Sequence, residues 1–178
     1  EGGSATPCAG RVMLGEEARR RIDETARSSF AADLRRWLGI MESYEKGGHA
    51  YHATMPTDGL RMLRAAITET FDFGLDAAQA AQQRLGDRVR ALLATPGLPS
   101  VAAEGFGAPG VVVCHTSDPG IHDGSRFRQA GLQTAAGVPL QCGEPADFRS
   151  FRIGLFGLDK LKDVDRTVTT LERALDTL

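Results

Sequence analysis

The 178-residue sequence has no long apolar run, no basic excess and little cysteine. No stretch reaches the ~18 consecutive apolar residues of a membrane-spanning helix. Lysine and arginine number 21 against 23 acidic residues, which argues against nucleic acid or an anionic membrane as partner. Cys8, Cys114 and Cys142 form neither a disulfide framework nor a CxxC motif, so we expect a reducing, cytoplasmic location and an inert, buried Cys114.

The first residues also lack an initiator methionine and the pattern of a signal peptide. Glu1 to Ala5 are acidic and small instead. We expect that the chain is either processed or a piece of a longer protein, and its length suffices for one good core.

The part of the sequence before residue 98 predicts mainly helices. Arg11 to Leu14 indicates a short strand, although it has no local hairpin partner. The helices are expected over Glu16–Ala26 and Ala31–Tyr44, then from Thr57 with an apolar stripe of Leu60, Leu63, Ile67 and Phe71, and from Asp76 to the Pro96-Gly97 turn. Trp37 falls on the apolar face of its helix, which favours a core position.

The later part of the sequence predicts a small sheet with helices packed on one face, an α+β layer. Strands are expected at Val101–Ala103, at Gly110–Thr116, briefly within 133–140, and at Phe151–Leu155. Helices are expected near 125–132 and from Asp159 to the end.

The strand predicted around Arg152 places a charged side chain between apolar ones. Phe151, Ile153 and Leu155 alternate with Arg152 and Gly154, so Arg152 leaves the sheet on the face opposite the apolar residues. A guanidinium matches a carboxylate or phosphate through two parallel hydrogen bonds. The alternative is an ordinary surface or interdomain ion pair.

A second polar and aromatic segment, Tyr51-His52-Ala53-Thr54-Met55-Pro56, precedes the helix that begins near Thr57. Its hydroxyl donors, Tyr51 and Thr54, suit phosphate oxygens. Alternatively, Thr54 caps a turn and Tyr51 packs.

Other candidate motifs are weaker. The four histidines show no metal-ligand spacing, so no metal is expected. Gly105 to Gly110 satisfies G-x-G-x-x-G, but a strand follows it and it contains Pro109, so a turn is favoured over a dinucleotide site. Glu144 and Asp147 are expected in a solvated loop.

Both polar segments resemble class V aminotransferases of the alanine–glyoxylate and serine–glyoxylate type. Phe-Arg-Ile-Gly followed by Leu-Phe-Gly-Leu-Asp-Lys-Leu is similar to their C-terminal motif, and the segment from Tyr51 to Pro56 is similar to their Tyr-His-x-Thr-x-Pro segment. The resemblance implies that Arg152 binds the substrate α-carboxylate. It also implies that Tyr51 and Thr54 bind the phosphate of pyridoxal 5'-phosphate held by the neighbouring subunit of a homodimer.

The resemblance further implies the C-terminal portion of a fold-type I α/β enzyme. Residues 1–56 would end the large cofactor-binding domain and include the interface loop, 57–97 would form helices including the connecting helix, and 98–178 would form the small α+β domain. Lys46, Lys160 and Lys162 are the lysines of the sequence and are expected on the solvated surface. None matches the family's Schiff-base lysine, so that lysine is expected upstream, this chain holds no catalytic residue, and it should not transaminate alone.

The parent protein is thus expected to move an amino group between a small amino acid and a small 2-oxo acid, glyoxylate or pyruvate. Two alternatives stay open. The chain could be a non-catalytic interaction domain or fragment, or it could belong to a class V lyase or desulfurase.

Overall fold

The computed structural model describes residues 9–178 and divides them into two compact units. One unit ends at Arg61, and the other runs from Met62 to Leu178. The division falls inside the helix α3 (Thr57–Phe73), so the two units are described separately.

The first unit contains α1 (Glu16–Glu24), α2 (Leu34–Glu45) and the beginning of α3. In α2, the side chain of Asp33 accepts the backbone N–H of Arg36 at 3.1 Å and so caps the helix. These helices confirm the sequence pattern. The strand expected at Arg11–Leu14 is wrong, because no strand of the described residues pairs with it, and Val12 and Met13 are exposed.

The second unit combines helices with an antiparallel sheet of three strands in the order β1-β3-β2. Val112 lies opposite Ile153 across β1 and β3, and Ala135 lies opposite Arg152 across β2 and β3. The elements after α3 are α4 (Leu75–Ala94), β1 (Val111–His115), α5 (Pro119–His122), α6 (Ser125–Gln129), β2 (Ala135–Ala136), β3 (Ser150–Gly154), α7 (Leu158–Leu161) and α8 (Val164–Leu175).

The core of this unit lies on one face of the sheet. Alternate residues of β1 and β3 point into it and pack with α4 and α8, as the period-2 pattern requires. The most buried side chains include Leu85, Val89, Leu93, Val112, Cys114, Phe127 and Phe151. The predicted α+β layer is confirmed.

Two expectations about this unit are wrong. The strand at Val101–Ala103 is reduced to one bridge between Ser100 and Cys114, because the chain turns away after Val101 donates its N–H to the carbonyl of Val113. The final helix is two helices, because the side chain of Asp163 accepts the N–H of Arg166 at 2.9 Å and starts α8 afresh.

The apolar stripe expected on α3 is present but uncovered. Within the described residues no side chain of α3 is buried, and Phe71 is 63% exposed. No helix among residues 9–178 is long and apolar enough to cross a lipid bilayer.

Candidate functional site

Arg152 extends from the middle of β3 on the face opposite the core. Its neighbours Phe151 and Ile153 are buried, whereas Arg152 is half-buried. Its Nε–H donates to the backbone carbonyl of Ala136 on β2 at 2.9 Å. Within residues 9–178, no carboxylate lies within ion-pair distance of the guanidinium. The geometry therefore leaves this cation available to an acidic group from outside the described chain.

The surroundings of Arg152 leave room for such a group. Gly154 lies on the same face of β3, and a Cβ placed there would meet only a ring atom of Phe156, at 3.8 Å. On the neighbouring strand, Ala135 is small and exposed. A planar carboxylate can approach the two terminal amino groups of the guanidinium through this space.

Tyr51 and Thr54 come together in the loop between α2 and α3. The Tyr51 hydroxyl lies 3.1 Å from Thr54 Oγ1, and both side chains are exposed. Two adjacent hydroxyls that face solvent can donate to two oxygens of one phosphate group. The residues present therefore fit a phosphate.

His52 anchors this loop, a role that the sequence reasoning missed. Its Nε2 lies 2.9 Å from the carbonyl oxygen of Phe30, and its ring centroid lies 4.2 Å from that of Phe30 and 5.0 Å from that of Trp37. Trp37 is half-buried and packs on His52, so it supports the loop besides its place on α2. Phe30 and Trp37, the aromatic residues before the loop, were the available signal.

Similarity between this chain and known proteins is found in the fold and not in the sequence. No protein-family model matches the sequence, and no curated protein matches it either. Solved structures with a similar fold include an alanine–glyoxylate aminotransferase from Nostoc sp. (18% identity, TM-score 0.65, covering 91% of this chain and 42% of that one). An aspartate aminotransferase of subgroup IV from Thermus thermophilus is also similar (17% identity, TM-score 0.68, covering 93% of this chain and 44% of that one). A third similar structure is a pyridoxamine–pyruvate aminotransferase from Mesorhizobium loti (18% identity, TM-score 0.64, covering 92% of this chain and 41% of that one).

The chain has the fold of part of an aminotransferase. It spans about two-fifths of the length of these structures, between 41% and 44%. The resemblance to aminotransferases is thereby confirmed at the level of the fold, and the coverage fits a C-terminal portion.

The three lysines of this aminotransferase-like chain differ in their surroundings. Lys46 is exposed at the C-terminal end of α2. Lys162 Nζ lies 2.6 Å from the Glu69 carboxylate. Lys160 is half-buried rather than simply solvated, because its Nζ donates to the carbonyl of Phe156 at 2.8 Å.

Glu144 is also more than a solvated loop residue. Its carboxylate accepts the backbone N–H groups of Leu140, Gln141 and Cys142, the last two at 2.8 and 2.9 Å. These hydrogen bonds lower the pKa of Glu144 to about 2. The loop that they close borders a cavity of about 530 Å³ lined by residues that include His122, Val138, Phe148 and Ser150.

Among the described residues, the remaining cysteine and histidine side chains do not group into a further site. Cys114 is fully buried, and burial raises the pKa of its thiol to about 11, which confirms that it is an inert core residue. Within the described part of the chain, no three histidine, cysteine or acidic side chains group together as metal ligands. Cys8 lies outside the described residues.

Proposed function

We propose that this chain is the C-terminal portion of a class V, pyridoxal-phosphate-dependent aminotransferase. Residues 1–56 would end its large domain, 57–97 would include the connecting helix, and 98–178 would form its small domain. The parent enzyme would exchange an amino group between a small amino acid and glyoxylate or pyruvate in the cytoplasm. The observation that carries this proposal is the available guanidinium of Arg152 within an aminotransferase fold.

Arg152 would hold the carboxylate that both the amino acid and the 2-oxo acid possess. A guanidinium stays protonated at every physiological pH, so its charge is always available. Two parallel hydrogen bonds to one carboxylate fix its plane as well as its position. This arrangement orients the Cα–H bond of the substrate relative to the rest of the site, which lowers the barrier through orientation rather than through electronic activation.

Tyr51 and Thr54 would hold the cofactor by its phosphate. Their hydroxyls lie 3.1 Å apart and are exposed, which suits donation to a group carried by another subunit. Pyridoxal phosphate, when bound, supplies the carbonyl carbon that takes up the amino group of one substrate and returns it to the other. The exposed stripe on α3, with Phe71 63% exposed, supports the proposal that more protein packs against this chain in a homodimer.

The lysine that binds the cofactor would come from outside residues 1–178. Lys160 and Lys162 are held by Phe156 and Glu69, and Lys46 is a freely exposed residue at the end of α2. Each of these environments is that of an ordinary surface or structural lysine, because none of the three side chains is buried.

The role of Arg152 is tested by Arg152→Ala in the enzyme that carries this chain. We expect kcat/KM for both the amino acid and the 2-oxo acid to fall by about a hundredfold or more, mainly through a higher KM. The absorption of the bound cofactor should stay unchanged, because the guanidinium is proposed to bind the substrate and not the cofactor.

Arg149→Ala is the matched control, since Arg149 is an exposed arginine just before β3. It should keep the kinetics of the unaltered enzyme. Loss of bound cofactor from Arg152→Ala, with KM unaltered, would contradict the carboxylate role.

The proposed binding of the cofactor phosphate is tested separately by Tyr51→Phe and Thr54→Ala. Each variant removes one hydroxyl donor, so we expect the affinity for pyridoxal phosphate to fall by about three- to tenfold. With saturating cofactor, KM for the substrates should stay near that of the unaltered enzyme. Unchanged cofactor affinity in both variants would leave the two hydroxyls without the proposed role.

A further inference from the structure

The hydrogen bond at Arg152 Nε decides which edge of the guanidinium can meet a ligand. Nε–H is directed at the carbonyl of Ala136, 2.9 Å away. The side edge, formed by Nε and one terminal nitrogen, is therefore partly occupied by the protein. The end edge, formed by the two terminal amino groups, remains for an incoming carboxylate.

The strand that provides this carbonyl is weak by itself. β2 has only two residues, Ala135 and Ala136, and both are exposed. A two-residue edge strand without buried side chains gains little from packing. Something beyond β2 must hold the Ala136 carbonyl in place.

The next residue provides that attachment. Gly137 donates its N–H to the carbonyl of Ser150 at 3.0 Å, which extends the pairing with β3 by one step. A Cβ on Gly137 would lie 2.2 Å from both the carbonyl oxygen and the Oγ of Ser150. Ser150 is only 1% exposed. Only glycine allows the backbone to approach the buried end of β3 this closely.

His122 binds the same carbonyl from the other side. Its Nδ1 lies 2.7 Å from the Ser150 oxygen, and because a carbonyl only accepts, Nδ1 must carry the proton. His122 ends α5, which is itself fixed by the buried Ile121 and by the Asp118 side chain, an acceptor for the N–H of Gly120 at 2.7 Å. The Ser150 carbonyl thus joins β2 to the core.

We propose that Gly137 and His122 are positioning residues for Arg152: their shared hold on the Ser150 carbonyl keeps Ala136 where it orients the guanidinium end-on. That the oriented ligand is a substrate carboxylate rests on the proposed function. The orientation of the guanidinium does not rest on that function, and it can be measured without an assay of enzyme activity.

The test follows the Nε–H proton of Arg152 in ¹⁵N-edited NMR spectra of the enzyme that carries this chain, assigned through Arg152→Lys. In Gly137→Ala and in His122→Ala, we expect this proton to exchange with water about tenfold faster, as for loss of one hydrogen bond. His122→Asn should restore slow exchange, since an amide N–H can replace Nδ1–H. Gly39→Ala is the control, because a Cβ at Gly39 meets nothing within 4 Å, and exchange should stay unchanged.

The two His122 variants decide the matter if Gly137→Ala does not fold. Unchanged Nε–H exchange in folded His122→Ala would overturn the proposal, as would failure of His122→Asn to restore it. A pyruvate titration of the same samples separates the two claims. If pyruvate leaves the Arg152 signals of the unaltered enzyme in place while the variants still accelerate exchange, the positioning role stands and the carboxylate role fails.

Discussion

Gly86 faces the backbone of Pro109 from the middle of α4, at a distance that admits no side chain. A Cβ on Gly86 would lie 2.7 Å from the Pro109 oxygen and 2.8 Å from its Cα. One turn earlier, the Gln82 amide donates to the same oxygen at 3.0 Å. Because glycine has no Cβ, α4 can pack directly against the turn that leads into β1.

Gly86→Ala should therefore destabilise the chain although alanine favours helix. Forcing backbone apart costs about 1–3 kcal/mol, and the gain in helix propensity returns about 0.5–1 kcal/mol. We expect a net loss of up to about 2.5 kcal/mol in the free energy of unfolding, measured by urea denaturation.

The control for Gly86→Ala is Gly39→Ala, in the interior of α2. No atom lies within 4 Å of its added Cβ, so only the propensity gain of about 0.5–1 kcal/mol should remain. If both variants proved equally stable, the close approach of α4 to Pro109 would be contradicted.

For single residues, the sequence predicts the direction of a side chain better than it predicts the residue that the side chain contacts. The alternation around Arg152 correctly puts Phe151 and Ile153 into the core and Arg152 outside it. The bond from Arg152 to Ala136 was not predictable, because it joins residues 16 positions apart through a strand of two residues without a hydrophobic pattern. The contact between Gly137 and Ser150 escapes prediction for the same reason.

At the scale of elements, the loop after β2 is organised by one carboxylate. Glu144 accepts three backbone N–H groups, those of Leu140, Gln141 and Cys142, and within this loop Gln141 has a positive φ of 59°. The loop therefore has a fixed conformation that depends on the charge of Glu144.

This dependence predicts how the loop responds to acid. The pKa of Glu144 is lowered from an ordinary value of 4.5 to about 2, so the folded loop favours the ionised form. Its stabilisation is complete above about pH 4.5 and is lost as the pH falls toward about 2. In NMR spectra, the amide signals of Gln141 and Cys142 should shift together with a midpoint near pH 2, where the carboxylate of the folded loop takes up its proton.

Glu144→Gln is the matched variant, because it keeps the shape and removes the ionisation. Its Gln141 and Cys142 amide signals should already differ at neutral pH and should show no transition centred near pH 2. A transition that persists in Glu144→Gln would assign the effect to another group.

Helices and strands with a strong hydrophobic pattern are predicted from the sequence. Boundaries that depend on a single local hydrogen bond are not. β1 and β3 follow from their β-branched and alternating residues. The division between α7 and α8 does not, because Asp163 fits a continuous helix in sequence but acts as a cap in the structure. The strand expected at Arg11–Leu14 shows that β propensity without a partner strand does not suffice.

At the scale of the whole chain, the sequence predicts the layered core but not what meets the uncovered surfaces. The stripe on α3 has helical spacing, yet Ile67 and Phe71 remain 37% and 63% exposed. Periodicity shows that a helix has an apolar face and does not show which partner buries it. A chain that spans between 41% and 44% of similar aminotransferases is expected to leave such faces open.

The account as a whole depends on a cofactor-binding lysine beyond Lys46, Lys160 and Lys162. The direct measurement is borohydride reduction of the protein purified from its natural source, followed by peptide mapping with mass spectrometry. We predict one pyridoxyl-lysine in a peptide outside residues 1–178, with the three lysines of this chain unmodified. A protein without any pyridoxyl group, or with that group on Lys46, Lys160 or Lys162, would contradict the account.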